Sequence, residues 1–250
     1  MGAPAGLDWE WAVATGGALT GRQRRQLMGY TVLHFPAMVA GQVRLVLGRR
    51  GNGRVDFADL HLPDSRLARA AENEAREGLT PHMLAHSYRT YFFGRALCEL
   101  HGVAFDDELA YVSSLLHDIN LENPTPGRCF AVTGAERAVE LATANGATFE
   151  RAQKIGAAIA AHITPGVADD LGDLGFVSAG AAVDVVGARL WELDPAWVED
   201  LLRRHPRHNF KQHDMAALDR EVEAMPEGRI KWLIAYTAFR RRVRTAPFAE

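Results

Sequence analysis

Leu115-Leu116-His117-Asp118-Ile119-Asn120 sets an imidazole beside a carboxylate directly after an apolar run. Both side chains bind divalent metals, the neutral ring through a nitrogen lone pair and the carboxylate through oxygen. Neighbouring helical positions point about 100° apart, so this pair converges on one ion only in front of a helix end. It then supplies half of a site, and other segments must supply the rest. The inward polar groups elsewhere are His86, His162 and Asp184. His86, His117, Asp118 and Asp184 make two imidazoles and two carboxylates, a set suited to Zn, Mn or Fe. Four protein ligands saturate a tetrahedral ion, whereas an octahedral one keeps two positions for water and substrate. The same residues also suit a buried polar network without metal. Asp184 lies in the stripe Ala181, Val185, Ala188, and a buried carboxylate needs a partner, a proton or an ion in either case.

The segments that must position these groups read as helices. Thr80 is a fit N-cap, Pro81 a fit first residue and Gly102 a fit stop. On the helix between them His82, His86, Arg89, Phe93 and Leu97 share a face. Asp106 or Asp107 caps the next helix, whose stripe Leu109, Val112, Leu116 and Ile119 ends at the His-Asp pair, before the breaker Asn123-Pro124-Thr125-Pro126-Gly127. Thr133 and Glu136 have capping-box spacing ahead of a helix ending near Asn145-Gly146. From Phe149 to Ile163, Ala152, Ile155, Ile159 and His162 face one way. Ser178 can open the helix carrying Asp184, Asp194-Pro195 opens another, and an aromatic helix covers Arg229 to Arg244. Upstream, residues 1 to 19 read as a loose arm pinned by Trp9 and Trp11. Thr20 and Gln23 form a capping box before a helical pattern that reaches Pro36 and resumes to Leu47. The run Leu27 to Leu47 is apolar, but His34, Pro36, Gln42 and Arg44 oppose a membrane span. It reads as a buried, kinked helical hairpin, with a membrane-surface or dimer contact as alternatives. No strand alternation or internal repeat occurs. The expected class is all-α, with an N-terminal helical extension over 1–58 and a helical domain over 59–250.

A chain of 250 residues with 48% hydrophobic content can fill one large core. Its net charge of -3 argues against nucleic acid as a partner. The clusters Arg22-Gln23-Arg24-Arg25 and Arg240-Arg241-Arg242 read as solvated faces. Two cysteines, Cys98 and Cys129, cannot form a disulfide framework and fit a reducing compartment. No signal-peptide pattern is visible, so the expectation is a cytoplasmic protein with a small-molecule substrate, no membrane partner and room for a homodimer.

The order His86, His117-Asp118, Asp184 resembles the H…HD…D pattern of the HD superfamily of metal-dependent hydrolases. Within it, Pro63-Asp64-Ser65, His86-Ser87-Tyr88-Arg89-Thr90-Tyr91 and Leu115-Leu116-His117-Asp118 are similar to the cyanamide hydratase-like branch. The resemblance spans roughly residues 60 to 210 and departs from that branch at Asn120 and Ala131. It implies an HD-domain helical bundle in which His86, His117, Asp118 and Asp184 hold one divalent Zn, Fe or Mn ion. Two-metal members add two histidines between the His-Asp pair and the last Asp, and here only His162 is well placed. His162 can ligate a second metal, bind substrate or be a satisfied core histidine. Arg89 can hold an anionic substrate or pair with an inward acid, and Glu122 can act as general base or be a solvated loop acid. The implied activity is hydrolysis of a small molecule such as a phosphate ester or nucleotide. The alternatives are hydration of a nitrile-like carbon and a non-catalytic metal-stabilised sensor or structural domain.

Overall fold

In a computed structural model that describes residues 6 to 250, the chain forms α1 (Trp9–Thr15), α2 (Gly21–Val46), α3 (Arg66–Gly78), α4 (Pro81–His101), α5 (Asp107–Leu116), α6 (Phe130–Ala144), α7 (Phe149–Ala161), α8 (Phe176–Val186), α9 (Pro195–Arg204), α10 (Phe210–Ala224), α11 (Arg229–Tyr236) and α12 (Phe239–Arg244). Among the described residues the only β pairing is an isolated bridge between Gly53 and Leu193. The fold is all-α, as expected.

The bundle is built around α4. Pro81 sits in its first turn and Gly102 ends it at φ 64°, a left-handed turn that glycine adopts without strain. Thr80 stands at the N-cap, but its hydroxyl does not cap the helix and donates to Glu122 instead. Between the ends, Met83, Tyr91, Phe93, Leu97 and Cys98 are fully buried. Helix α8 packs closely across α4, and Gly180 is why it can. A Cβ at Gly180 would lie 2.0 Å from the Thr90 carbonyl oxygen, so only hydrogen fits there. One turn beyond Gly180 is Asp184, which this close crossing delivers to α4. Asp106 caps α5 by accepting from the Leu109 N–H. Arg151 of α7 holds the same carboxylate at 2.6 and 2.8 Å, tying two site-bearing helices together. Ala12, Leu45 and Val55 belong to the same hydrophobic cluster as the α4 core.

Several sequence expectations differ from the structure. From Leu27 to Val46 the run is one continuous helix, capped by Leu47, rather than a buried hairpin, with Pro36 inside α2. Proline removes one donor and frees the Val32 carbonyl, and Val32 is exposed, so water can take that bond. Only Leu27, Gly41 and Leu45 of α2 are buried. The N-terminal arm contains α1, capped by Asp8 and tied down by Trp9 Nε1 donating to Gln153; residues 1 to 5 lie outside the described part. Thr133 is not an N-cap: α6 begins at Phe130, whose N–H is received by Glu221 of α10. That cap comes from a residue 91 positions away, which local spacing cannot reveal. Helix α8 starts at Phe176 rather than Ser178, and Ala238 at φ 52° divides the C-terminal aromatic segment into α11 and α12. No described helix is long and apolar enough to cross a membrane.

Candidate metal centre

His86 enters from the second turn of α4. His117 is the C-cap of α5, and Asp118 follows it in the turn, so the pair does meet in front of a helix end. Nε2 of His86 and Nε2 of His117 are 3.2 Å apart. Asp118 Oδ2 lies 3.5 Å from the first and 3.3 Å from the second. Ligands about 2.0 to 2.1 Å from a four-coordinate ion are themselves about 3.3 Å apart. The three atoms therefore have the mutual spacing of donors around one cation, and the buried group His86, His117 and Asp118 can hold a metal ion.

The hydrogen bonds behind the rings support that reading. His117 Nδ1 lies 2.8 Å from the Ser114 carbonyl, an acceptor only, so Nδ1 carries the proton and Nε2 a lone pair. His86 Nδ1 faces Asp184 Oδ2 at 2.7 Å, which assigns its tautomer the same way. Two lone pairs and a carboxylate oxygen thus converge with no donor among them, an arrangement that a shared proton or a cation must reconcile. Burial disfavours His86 protonation, but Asp118 and Asp184 outweigh it and raise its pKa. Burial also works against the Asp118 charge, yet the surrounding imidazoles, His117 first, hold its pKa well below the carboxylate range.

His162 repeats the posture of His117. It is the C-cap of α7 in helical geometry, and its Nδ1 donates to the carbonyl three residues back, Ile159, at 2.6 Å. Its carbonyl accepts from Ser178, which locks the turn. Nε2 of His162 then faces Asp118 Oδ1 at 3.4 Å, and that oxygen has no hydrogen-bond partner although buried. Burial lowers the His162 pKa, Asp118 offsetting it in part. The neutral ring is the form that accepts a proton.

Asp184 stands on the far side of the His86 ring from the three donors. Arg89 grips it with two bonds, Nε to Oδ1 at 2.8 Å and Nη2 to Oδ2 at 2.9 Å, and Arg207 adds a third at 2.8 Å. Its pKa is lowered despite burial, chiefly by Arg89 and Arg207. The structure therefore brings three of the four expected ligands together and uses the fourth to orient one of them. Arg89 takes the second of its two expected roles. Fully buried, it binds Asp184 and the His205 and Pro206 carbonyls, so it does not face solvent as an anion site. Glu122 sits at the rim with Thr80 and His82, 2.7 and 3.2 Å from them, away from the three donors.

Helix α10 supplies what sequence reasoning missed. Phe210 stacks on His86 at 4.6 Å and His213 on His82 at 4.2 Å, which lays α10 along the first half of α4. Asp214 points inward from the same face, fully buried with Oδ2 unpartnered. Burial, with Asp118 and Asp184 nearby, pushes its pKa up to about 7. The signal was legible: His213-Asp214 repeats the His-Asp dipeptide, and Phe210, Asp214, Ala217 and Leu218 have the spacing of one helical face. Two surface cavities lie elsewhere, one at Thr20, Arg22 and Gln26, the other between Leu45, Leu193 and Phe248.

No family model matches the chain, and no curated protein matches it.

Proposed function

We propose that the chain is a metal-dependent hydrolase of the HD type, acting on a small molecule with one divalent cation held by His86, His117 and Asp118. The observation that carries this reading is the convergence of two imidazole lone pairs and one carboxylate oxygen at 3.2 to 3.5 Å, each ring backed by a fixed acceptor. A cation bound there would lower the pKa of a coordinated water and polarise the atom under attack.

The chain's own residues do the rest. Asp184, held by Arg89 and Arg207, keeps His86 in the tautomer whose Nε2 is free. The Ser114 carbonyl does the same for His117. Neutral His162, with Nδ1 committed to Ile159, presents Nε2 beside Asp118 Oδ1 and is placed to accept a proton from attacking water. Asp214, with a pKa near neutrality, can return a proton to the leaving group, and its raised pKa leaves both protonation states accessible. Helix α10 excludes water by laying Phe210 on His86.

A phosphate ester or nucleotide is the first substrate class to test. Hydration of a neutral nitrile-like carbon is the second reading, and the burial of Arg89 against Asp184 favours it, because that guanidinium is not free for a phosphate. The non-catalytic alternative draws on the site's burial, with Asp118 5% and His162 8% exposed.

Metal analysis of the purified chain beside His117→Ala and Asp118→Asn tests the site; loss of bound metal in both variants is expected, and retention in both refutes it. Phosphate release from nucleotide and sugar phosphates, run beside urea release from cyanamide, decides the chemistry. Metal bound with neither product, at any substrate tried, leaves the structural role as the better account.

A further inference from the structure

Helix α2 has two faces of opposite character. Leu27, Tyr30, His34, Met38, Gly41 and Leu45 recur at three- and four-residue spacing and turn toward the body. The Tyr30 hydroxyl donates to Asp169. Gly41 lets the helix sit on Trp191, whose ring would lie 2.2 Å from a Cβ there. These contacts fix which side faces out. On that side Val32, Phe35, Val39, Val43 and Val46 form a second stripe at the same spacing, flanked by Leu33 and Leu47, and all seven are exposed, Val46 to 85% and Leu33 to 73%. A contiguous apolar stripe on a helix roughly 40 Å long, from its 26 residues at about 1.5 Å each, is far more than scattered surface apolar groups produce.

The charge around the stripe says what covers it. Between Trp11 and Val55 the chain has seven arginines and no acidic residue, although its net charge is -3. Arg22, Arg24 and Arg25 lie at one end of α2, and Arg44, Arg49, Arg50 and Arg54 at the other. Among the described residues, only Arg54 of the seven meets a carboxylate, Asp194. A second copy seated on this stripe would set one array of unpaired arginines against another in either orientation, and like charges in register oppose association. A surface that is negative and offers an apolar layer beneath its charges satisfies both features.

We infer that α2 is an interfacial helix that docks the protein on an anionic lipid bilayer, with Val32, Phe35, Val39, Val43 and Val46 entering the headgroup boundary and the flanking arginines meeting lipid phosphates. The helix lies on the bilayer and does not cross it, consistent with its arginines and Pro36. The inference is independent of the chemistry assigned to the metal centre.

Sedimentation of the full chain with vesicles tests it, comparing phosphatidylcholine alone with an equal mixture of phosphatidylcholine and phosphatidylglycerol. The chain is expected to sediment with the mixed vesicles, to stay in solution with the neutral ones, and to be released by added salt. Arg22→Glu with Arg25→Glu should weaken binding at least fivefold per reversed arginine, from roughly fivefold for each basic side chain near such a surface. Val39→Glu with Val43→Glu should abolish it. Melting curves establish that the variants fold; should the valine pair unfold, the arginine pair decides, since both side chains are exposed. Equal binding to the two vesicle types, or binding to neither, overturns the inference. So does a dimer of the parent chain that Val39→Glu with Val43→Glu converts to monomer while vesicles leave the chain in solution, which would assign the face to a second copy.

Discussion

Asp184 illustrates how one residue can govern a site it does not enter. Its two oxygens receive Arg89, Arg207 and His86, so its charge balances the buried Arg89 and, together with Glu250, Arg207, while its geometry sets a ring. Asp184→Asn leaves Arg89 buried without a counter-charge, whereas Arg207 keeps Glu250. The expected loss is about 3 to 5 kcal/mol in urea unfolding, and metal affinity should fall about 10- to 100-fold, as measured by competition with a chromogenic chelator. Because folding lowers the Asp184 pKa, its contribution is present above the unfolded value of 3.8 and is lost as pH falls below it. Asp214 behaves in the opposite sense. Its folded pKa of about 7 lies above the unfolded 3.8, so the folded state binds the extra proton and stability declines as pH rises from about 4 to about 7. Asp214→Asn should raise the melting temperature of chelator-treated protein at pH 8 and leave it nearly unchanged at pH 4. Equal shifts at both pH values would count against an unpartnered buried carboxylate.

Among elements, the α4/α8 crossing sets the fourth corner of the site. Gly180→Ala pits a helix-propensity gain of about 1 kcal/mol against a Cβ 2.0 Å from the Thr90 carbonyl oxygen. Overpacking of that kind costs about 3 kcal/mol, so the substitution should destabilise in urea unfolding and, by shifting Asp184, weaken metal binding as well. The same pair of helices shows what sequence can convey. The bounds of α4 were legible from Pro81 and Gly102, and the inward face of His86 and Arg89 from spacing, because these signals are local. The meeting of His117 and Asp118 followed from a helix end. What escaped was decided by contacts across the fold: whether Asp184 met the donors or the arginines depended on Arg207, 23 residues later. Thr133 lost its capping role to Glu221, and although the Phe210, Asp214, Ala217 and Leu218 face has helical spacing, it is the packing of α10 on α4 that makes Asp214 a site residue. In α2 the proline suggested a break, but exposure let the helix continue.

For the molecule as a whole, the donors join distant parts of one chain. His86 comes from α4 and His117 and Asp118 from the end of α5, with His162 behind them on α7 and Asp184 on α8. A cation at the three donors cross-links the centre of the bundle, so binding should appear as global stability rather than local stiffening. At a free metal concentration about 100-fold above Kd the linkage contributes about 2.7 kcal/mol. For a chain of this length each kcal/mol moves Tm by about 2 to 4 °C, giving a rise of roughly 5 to 10 °C in calorimetry. His117→Ala should melt at the same temperature with and without added Zn or Mn. The response also separates a built site from three residues that happen to lie close: an incidental cluster binds too weakly to shift the transition at micromolar metal. Only donors already held by Asp184 and Ser114 avoid reorganising on binding, and that preorganisation is what converts affinity into a shift of the whole fold.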